Sequence, residues 1–415
     1  NHLEESGGDG GMIKRTLQEL CLNITDGKHG DCENEENSGY YFISCKDIFD
    51  GQINYKNARQ ITKADFEETH KRTMLEVDDI LLTNSGTIGR MAFVTDREAT
   101  TKTTFQKSVA IIKPDKQKVL PRYLYYQLQN CVPQFINSSN GSAQKNLLLS
   151  TMRTFQIEIE ENREKQEKIA NTLSAYDDLI ENNQKQIKLL EEAAQRLYKE
   201  WFVDLRFPEH ENTKIVDGVP EGWKKNCAEK FFEITIGKTP PRTEKRCFTT
   251  GKNGIPWVSI ADMGNSGMFV LNTAENLTDD AIKQYNVKVI PKNAVLLSFK
   301  LTVGRVAIAP NDICTNEAIA HFKGRRECER EYTYFYLKNF HYDELGSTSS
   351  ISKAVNSKII KAMPFIMPSE KLLKEYSSKT KDIFDLIICK QKMDNNLKIA
   401  RDRILHKLMS GEVEV

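Results

Sequence analysis

Seven histidines (His2, His29, His70, His210, His321, His341 and His406) are scattered along the 415 residues, and none has the HExxH or similar spacing that brings two imidazoles to one metal. Nine cysteines contain no CxxC pair, which points away from a zinc ribbon or a disulfide framework and towards buried or idle thiols in a reducing cytoplasm. Adjacent acids at Glu160-Glu161 and Asp177-Asp178 fall in or beside a long helical stretch, where such pairs more often form a solvated face than an active site. The single Pro-Pro, in Thr239-Pro240-Pro241-Arg242, lacks the Asn/Asp and aromatic flanks with which amino-methyltransferases grip a target amine. No GxxxxGK[ST] is present, and no Gly-rich loop joins a strand to a helix as a cofactor-binding domain requires. We therefore expect no catalytic residue, no metal and no cofactor in this chain.

Binding chemistry is better supplied. There are 59 basic and 58 acidic residues, a formal charge of +1; that total says nothing against a nucleic-acid ligand, which needs positive charge on one face only. Hydrophobic residues at 39% and charged residues at 28% suit a soluble protein with a real core and long solvated faces. No apolar run approaches the ~18 residues of a membrane span. Residues 1–11, polar and Gly-rich before Met12, read as a remnant preceding the natural start.

The elements that position these residues come in duplicate. Ile24-Thr25 and Gly27-Lys28 return as Ile234-Thr235 and Gly237-Lys238; Gly39, Ser44 and Asp47 return as Gly254, Ser259 and Asp262. Leu81-Leu82-Thr83, Thr87, Gly89-Arg90 and Ala92 return as Leu296-Leu297-Ser298, Thr302, Gly304-Arg305 and Ala307. Tyr123, Tyr125, Leu128 and Asn130 are echoed by Tyr332, Tyr334, Leu337 and Asn339, and Asp178-Leu179-Ile180 by Asp385-Leu386-Ile387. The order is kept throughout, and a period near 200 residues is too long for a solenoid whose units run ~20–50. Two whole mixed domains are implied. In each, short apolar runs alternate with turn signals: residues 80–82 and 88–94 read as strands about an Asn84-Ser85-Gly86 turn, and Pro291-Lys292-Asn293 precedes a strand at 294–299.

Each copy ends in a long helix. Residues 160–203 contain no Gly or Pro, and Ile169, Leu173, Tyr176, Ile180, Asn183, Ile187, Leu190, Ala194, Leu197 and Trp201 recur in steps of four and three, a heptad seam. The second helix, after Pro368 and to Gly411, has a rougher seam of Ile383, Ile387, Leu397, Ile404 and Leu408, interrupted by Lys390 and Asp394. Packing of each helix on its own domain is the plainer alternative, but some forty residues make a rod of ~60 Å, longer than a domain of ~150 residues is wide. The expected fold is α+β: two similar mixed domains (residues 12–158 and 206–367) separated by a long antiparallel two-helix coiled coil (residues 159–205 and 368–411), with pseudo-two-fold internal symmetry.

Residues 81–90, Leu-Leu-Thr-Asn-Ser-Gly-Thr-Ile-Gly-Arg, resemble the strand-turn of target-recognition domains in the specificity subunits of type I restriction–modification enzymes. Residues 141–147 (Gly-Ser-Ala-Gln-Lys-Asn-Leu) are similar to the segment these proteins place before their long helix. Residues 164–170, 178–183 and 189–192 resemble the central helix, and Val219-Pro220-Glu221-Gly222-Trp223 the opening of a recognition domain. The second copy departs from this pattern: Phe299-Lys300-Leu301 replaces Asn84-Ser85-Gly86, and Ser352-Lys353-Ala354 replaces Gln144-Lys145-Asn146. The resemblance implies a non-catalytic subunit that binds double-stranded DNA, two modification (methyltransferase) subunits and two restriction subunits. S-adenosylmethionine, ATP and Mg would then belong to the partners. It implies a split target, one half-site per domain, with the helices as spacer. Candidate DNA contacts in the first domain are Lys28, His29, Asn84, Ser85, Arg90, Lys102, Thr103, Thr104, Gln106, Lys107, Ser142, Gln144, Lys145 and Asn146. In the second they are Lys238, Thr239, Arg242, Lys300, Thr302, Arg305, Asn316 and Lys353. Arg, Asn and Gln bond base edges in pairs, whereas Lys more often neutralises phosphate. Each is about equally well read as an ordinary loop residue, and Gly86, Gly89 and Arg90 as parts of the turn itself. A stand-alone DNA binder with a coiled-coil spine, an enzyme with a divergent site, and a scaffold are the competing readings.

Overall fold

The computed structural model describes residues 11–139, 146–251, 253–345 and 355–414. The chain divides into two compact units, residues 1–178 with 398–415 and residues 179–397. The division runs through both long helices rather than along their ends. Among the described residues no helix is long and apolar enough to cross a membrane.

In the first unit a four-stranded antiparallel sheet orders Cys21–Asp26, Val109–Pro114, Ile80–Thr83 and Met91–Phe93. In the second unit Glu233–Ile236, Ile319–Lys323, Val295–Ser298 and Val306–Ile308 repeat that order and sense. The apolar runs Ile80-Leu81-Leu82 and Val295-Leu296-Leu297 are buried on both faces, as continuous rather than alternating apolar strands require. Each unit adds a smaller sheet with one parallel pair, Tyr41–Ile43 beside Thr103–Phe105 and Ile255–Val258 beside Cys314–Thr315. Each also has a closing pair whose last strand leads into the long helix: Met12–Thr16 with Gln156–Glu160, and Lys224–Cys227 with Pro364–Met367.

The long helices span Arg163–Tyr198 and Glu370–Met409, so residues 159–160, expected in the first helix, belong to the preceding strand. The Asn162 side chain accepts from the amides of Glu164 and Lys165 (2.9 and 3.2 Å), and Ser369 Oγ from that of Leu372 (3.3 Å); these caps satisfy amides that have no carbonyl one turn back. The first helix widens into a π turn at Lys199–Val203. The second stops at Gly411, whose φ of +71° ends a helix without steric cost.

Within the second unit the two helices run antiparallel: Asn183 meets Lys390 while Trp201 meets Tyr376, the rings 5.9 Å apart. Within the first, Asp177 meets Arg401 and Leu173 shares a core with Leu405 and Leu408. Of the expected seam, Ile169, Leu173, Ile180, Asn183, Ile387 and Leu408 are buried, while Tyr176, Ile187, Leu190, Leu197, Ile383, Leu397 and Ile404 are only half-buried. On the second helix Phe384 and Leu405 take the buried places assigned to Ile383 and Ile404. The reason is a second packing partner. Phe384 lies edge-on to Tyr334 and Phe335 of its own domain (5.9 and 5.8 Å), so the face it buries follows the domain as well as the other helix. Packing on the domains, set aside on length alone, is therefore real at the helix ends.

At one buried position the second sheet carries an imidazole where the first carries an alkyl side chain. Where Ile111 pairs with Thr25 in the first unit, His321 pairs with Thr235 in the second. The His321 ring contacts Thr235 Oγ1 (2.9 Å) and Thr315 Oγ1 (2.6 Å), and burial lowers its pKa to about 3. A folded pKa below the unfolded ~6.5 means stability that is present above pH 6.5 and lost as pH falls towards 3. Between pH 7 and pH 5 the loss amounts to about 2 kcal/mol. Urea unfolding at the two pH values, with His321→Ile losing much less on acidification than the wild type, checks this.

Candidate nucleic-acid interface

Both sheets end in the same turn. Ser44 N and Oγ donate to the Asp47 carboxylate (2.9 and 2.7 Å), and Ser259 N and Oγ to Asp262 (2.8 and 2.7 Å). Arg90 Nη1 donates to the carbonyl of Cys45 (3.4 Å), and Arg305 Nη1 to that of Ile260 (2.6 Å), the residue after the serine in each case. The amides of Arg90 and Arg305 donate to the hydroxyls of Thr83 and Ser298 (2.9 and 3.0 Å), those of Gly89 and Gly304 to the carbonyls of the same two residues (3.0 and 2.9 Å). Gly89 and Gly304 hold φ of +93° and +90°, and a Cβ on Gly89 would stand 2.5 Å from Val132. The two arginines proposed as contacts thus brace the turn that presents their neighbours.

In the first unit a cleft of about 630 Å³ gathers His29, Asn84, Ser85, Lys107 and Asn146 of the expected residues, and adds Asp26, Arg72 and Ser150. Asp26, nearly buried, holds His29 Nε2 at 2.9 Å and Arg72 Nη2 at 2.5 Å, so one carboxylate aligns two donors on the rim. Asn84 is buried, and its side-chain oxygen has no hydrogen-bond partner among the described residues. Its main chain is fixed from both sides, its amide donating to Ser108 O (3.1 Å) and its carbonyl accepting from Leu147 N (2.8 Å). The fold thus fixes this residue in the cleft wall with an acceptor left unpaired, and Lys107, exposed beside it, suits a phosphate.

Other residues lie elsewhere. Lys28 is turned to Asp65 and Glu68 (3.4 and 3.3 Å) and Lys102 to Glu98 (2.5 Å). Gln106 is half-buried at the parallel bridge to Lys28. Thr103 and Thr104, taken as loop contacts, are fully buried in a strand, with hydroxyls on Tyr55 (2.9 Å) and Thr73 (3.5 Å); β-branched residues favour that setting, and neither can reach a ligand. Ser142, Gln144, Lys145 and Lys353 lie outside the described residues.

In the second unit Arg242 pairs with Glu275 (2.6 Å) and stacks on Phe248 and Trp257, 4.2 and 4.6 Å from the ring centroids. Lys238 Nζ donates to Tyr285 O (2.6 Å), and Asn316 Oδ1 caps Ala318 N (3.1 Å). Thr239 donates to Glu317. Partial burial raises the Glu317 pKa, but the Thr239 hydroxyl, its own amide, Lys300 and Arg242 outweigh this and hold the carboxyl below its ordinary value. Lys300 and Thr302 remain exposed at the turn tip. Arg72 and Asp26, 46 residues apart, were missed because only the fold brings them together. The shorter guanidinium bond at Arg305 predicts that Arg305→Ala costs about 1–3 kcal/mol, as for a charged hydrogen bond, and Arg90→Ala well under half as much; thermal unfolding of the two variants checks this.

Comparison with known proteins agrees with the duplication. A family model described as the type I restriction modification DNA specificity domain matches residues 13–192 and again 220–397. The specificity subunit of the MjaIX type I restriction enzyme of Methanocaldococcus jannaschii is 28% identical over 392 residues, covering 90% of this chain and 87% of that one. The HindI specificity subunit of Haemophilus influenzae is 24% identical over 370 residues, covering 73% and 80%. Among solved structures, the S subunit of a type I restriction-modification system from M. genitalium superposes with a TM-score of 0.57 at 14% identity, over 97% of both chains.

Proposed function

Since this chain belongs to the type I restriction–modification DNA specificity family, we propose that it reads a bipartite double-stranded DNA target, one half-site per unit, and docks modification and restriction subunits while catalysing nothing itself. The observation that carries this is the duplication of a whole braced turn. Thr83–Gly89–Arg90 and Ser298–Gly304–Arg305 hold the same hydrogen bonds beneath different tips, which is what two readers of unlike half-sites need. DNA offers two-fold axes of its own, so a duplicated reader with antiparallel helices suits half-sites about one turn, roughly 34 Å, apart. Methyl donor and nucleotide chemistry would reside on the partners, which keeps the chain free of the motifs it lacks.

The length of the helices, rather than their side chains, then sets the spacer. An insertion that tests this must avoid Ala194, which is fully buried in a domain core. Four residues between Asp177 and Asn183, matched by four between Lys390 and Arg401, add one turn, ~6 Å, to each helix. Methylation mapping in cells carrying the modification subunit is expected to show both half-sites unchanged and a spacer longer by roughly two base pairs at ~3.4 Å each. An unaltered spacer refutes the helix-length account, and methyl transfer by the chain alone refutes the non-catalytic role.

A further inference from the structure

One side chain at the turn tip of the second unit is used by nothing in the fold. Leu301 is 97% exposed, and its φ is +61°, in the left-handed region that is unfavourable to a residue with a Cβ. The same position in the first unit is Gly86, with φ +78°, a residue that adopts this conformation freely. The duplicated turn therefore requires the backbone angle but not the leucine. An isobutyl group held in water on a strained backbone is doubly unfavourable to the free protein, and strain of this kind concentrates where a side chain must be presented to a ligand.

Its setting suits a base rather than a protein core. Lys300, on one side, has its ammonium exposed 5.7 Å from the Phe299 ring, and Val303 is 39% exposed two residues on. A cation for phosphate thus stands beside apolar groups for bases. The tip is also held still. Ser298 Oγ donates to Thr302 O (2.5 Å) and accepts from Arg305 N (3.0 Å), while Arg305 is anchored on Ile260 O (2.6 Å). Little ordering entropy is left to lose on binding.

We propose that Leu301 is a specificity-determining residue that sets its side chain against the bases of the half-site read by the second unit, on a thymine methyl or in an opened base step. This rests on the bipartite-target reading above. Leu301→Gly in the assembly with the modification subunit is the decisive variant. Glycine is at ease at this φ, so the unfolding midpoint should hold or rise, and lost binding is then not lost folding. Methylation mapping should show one half-site relaxed at one or two positions and the other unchanged. Affinity for the cognate duplex should fall about tenfold with no change in its salt dependence. In the wild type, replacing thymines of that half-site by deoxyuridine reproduces the loss if the contact is a methyl group. Brightening of 2-aminopurine placed there marks an opened step. Unchanged preference in Leu301→Gly, or neither signal in the wild type, overturns the assignment while leaving the split target intact. A wild-type assembly that methylates no split target sinks the parent reading instead.

Discussion

Each globular core is closed by two helices that arrive from distant parts of the chain. In the first unit Ile169, Ala170 and Leu173 share a core with Leu405, Leu408 and Met409. In the second, Ala194, Tyr198, Trp201 and Phe202 share one with Leu372, Leu373, Tyr376, Phe384 and Ile387. Emptying one such buried position costs about 2–5 kcal/mol, against a total stability of about 5–15 kcal/mol for a typical domain. Each unit therefore depends on both helices, and the recognition domain is joined to them by packing, not by a flexible linker.

Polar groups within the helix pairing fix its register. Asn183, buried, donates to the Lys390 carbonyl (2.8 Å), and Lys390 Nζ returns a contact to its amide oxygen (3.4 Å). Asp177 accepts from Arg401 (2.8 Å) and from Tyr126 (2.5 Å), with Arg122 3.6 Å away and stacked over Phe93 at 4.7 Å. Sliding either helix by a turn would strand these groups without partners, a desolvation cost that apolar contacts do not impose. Asp177 is thus part of a structural network, not the solvated face expected of it.

The two copies have kept the brace and varied what it carries. The serine-to-aspartate bonds, Gly89 and Gly304, and the Arg90 and Arg305 braces recur in both copies. Asn84 has become Phe299, Gly86 has become Leu301, and Ile111 has become His321. The same scaffolding thus carries different tips, and the buried imidazole of His321, its pKa lowered by burial, stands where the first unit has an apolar side chain.

Local chemistry was enough to determine the duplication, the hairpins at Gly89 and Gly304, and the two long helices, because backbone angles, missing Gly and Pro, and apolar spacing act over a few residues. The replacement of Gly86 by Leu301 was also visible as a mismatch between copies, though its exposure was not. Only the tertiary structure decided which polar residues were free to bind. Thr103 and Thr104 vanish into a strand, Arg90 and Arg305 are spent as braces, Lys28 is neutralised by Asp65 and Glu68, and Asp26 gathers His29 and Arg72 into one cleft. The same holds for Phe384 over Ile383, since a helix buried against two partners turns the face that both together demand. Burial and partnership depend on residues far away in the chain, and no local pattern carries them.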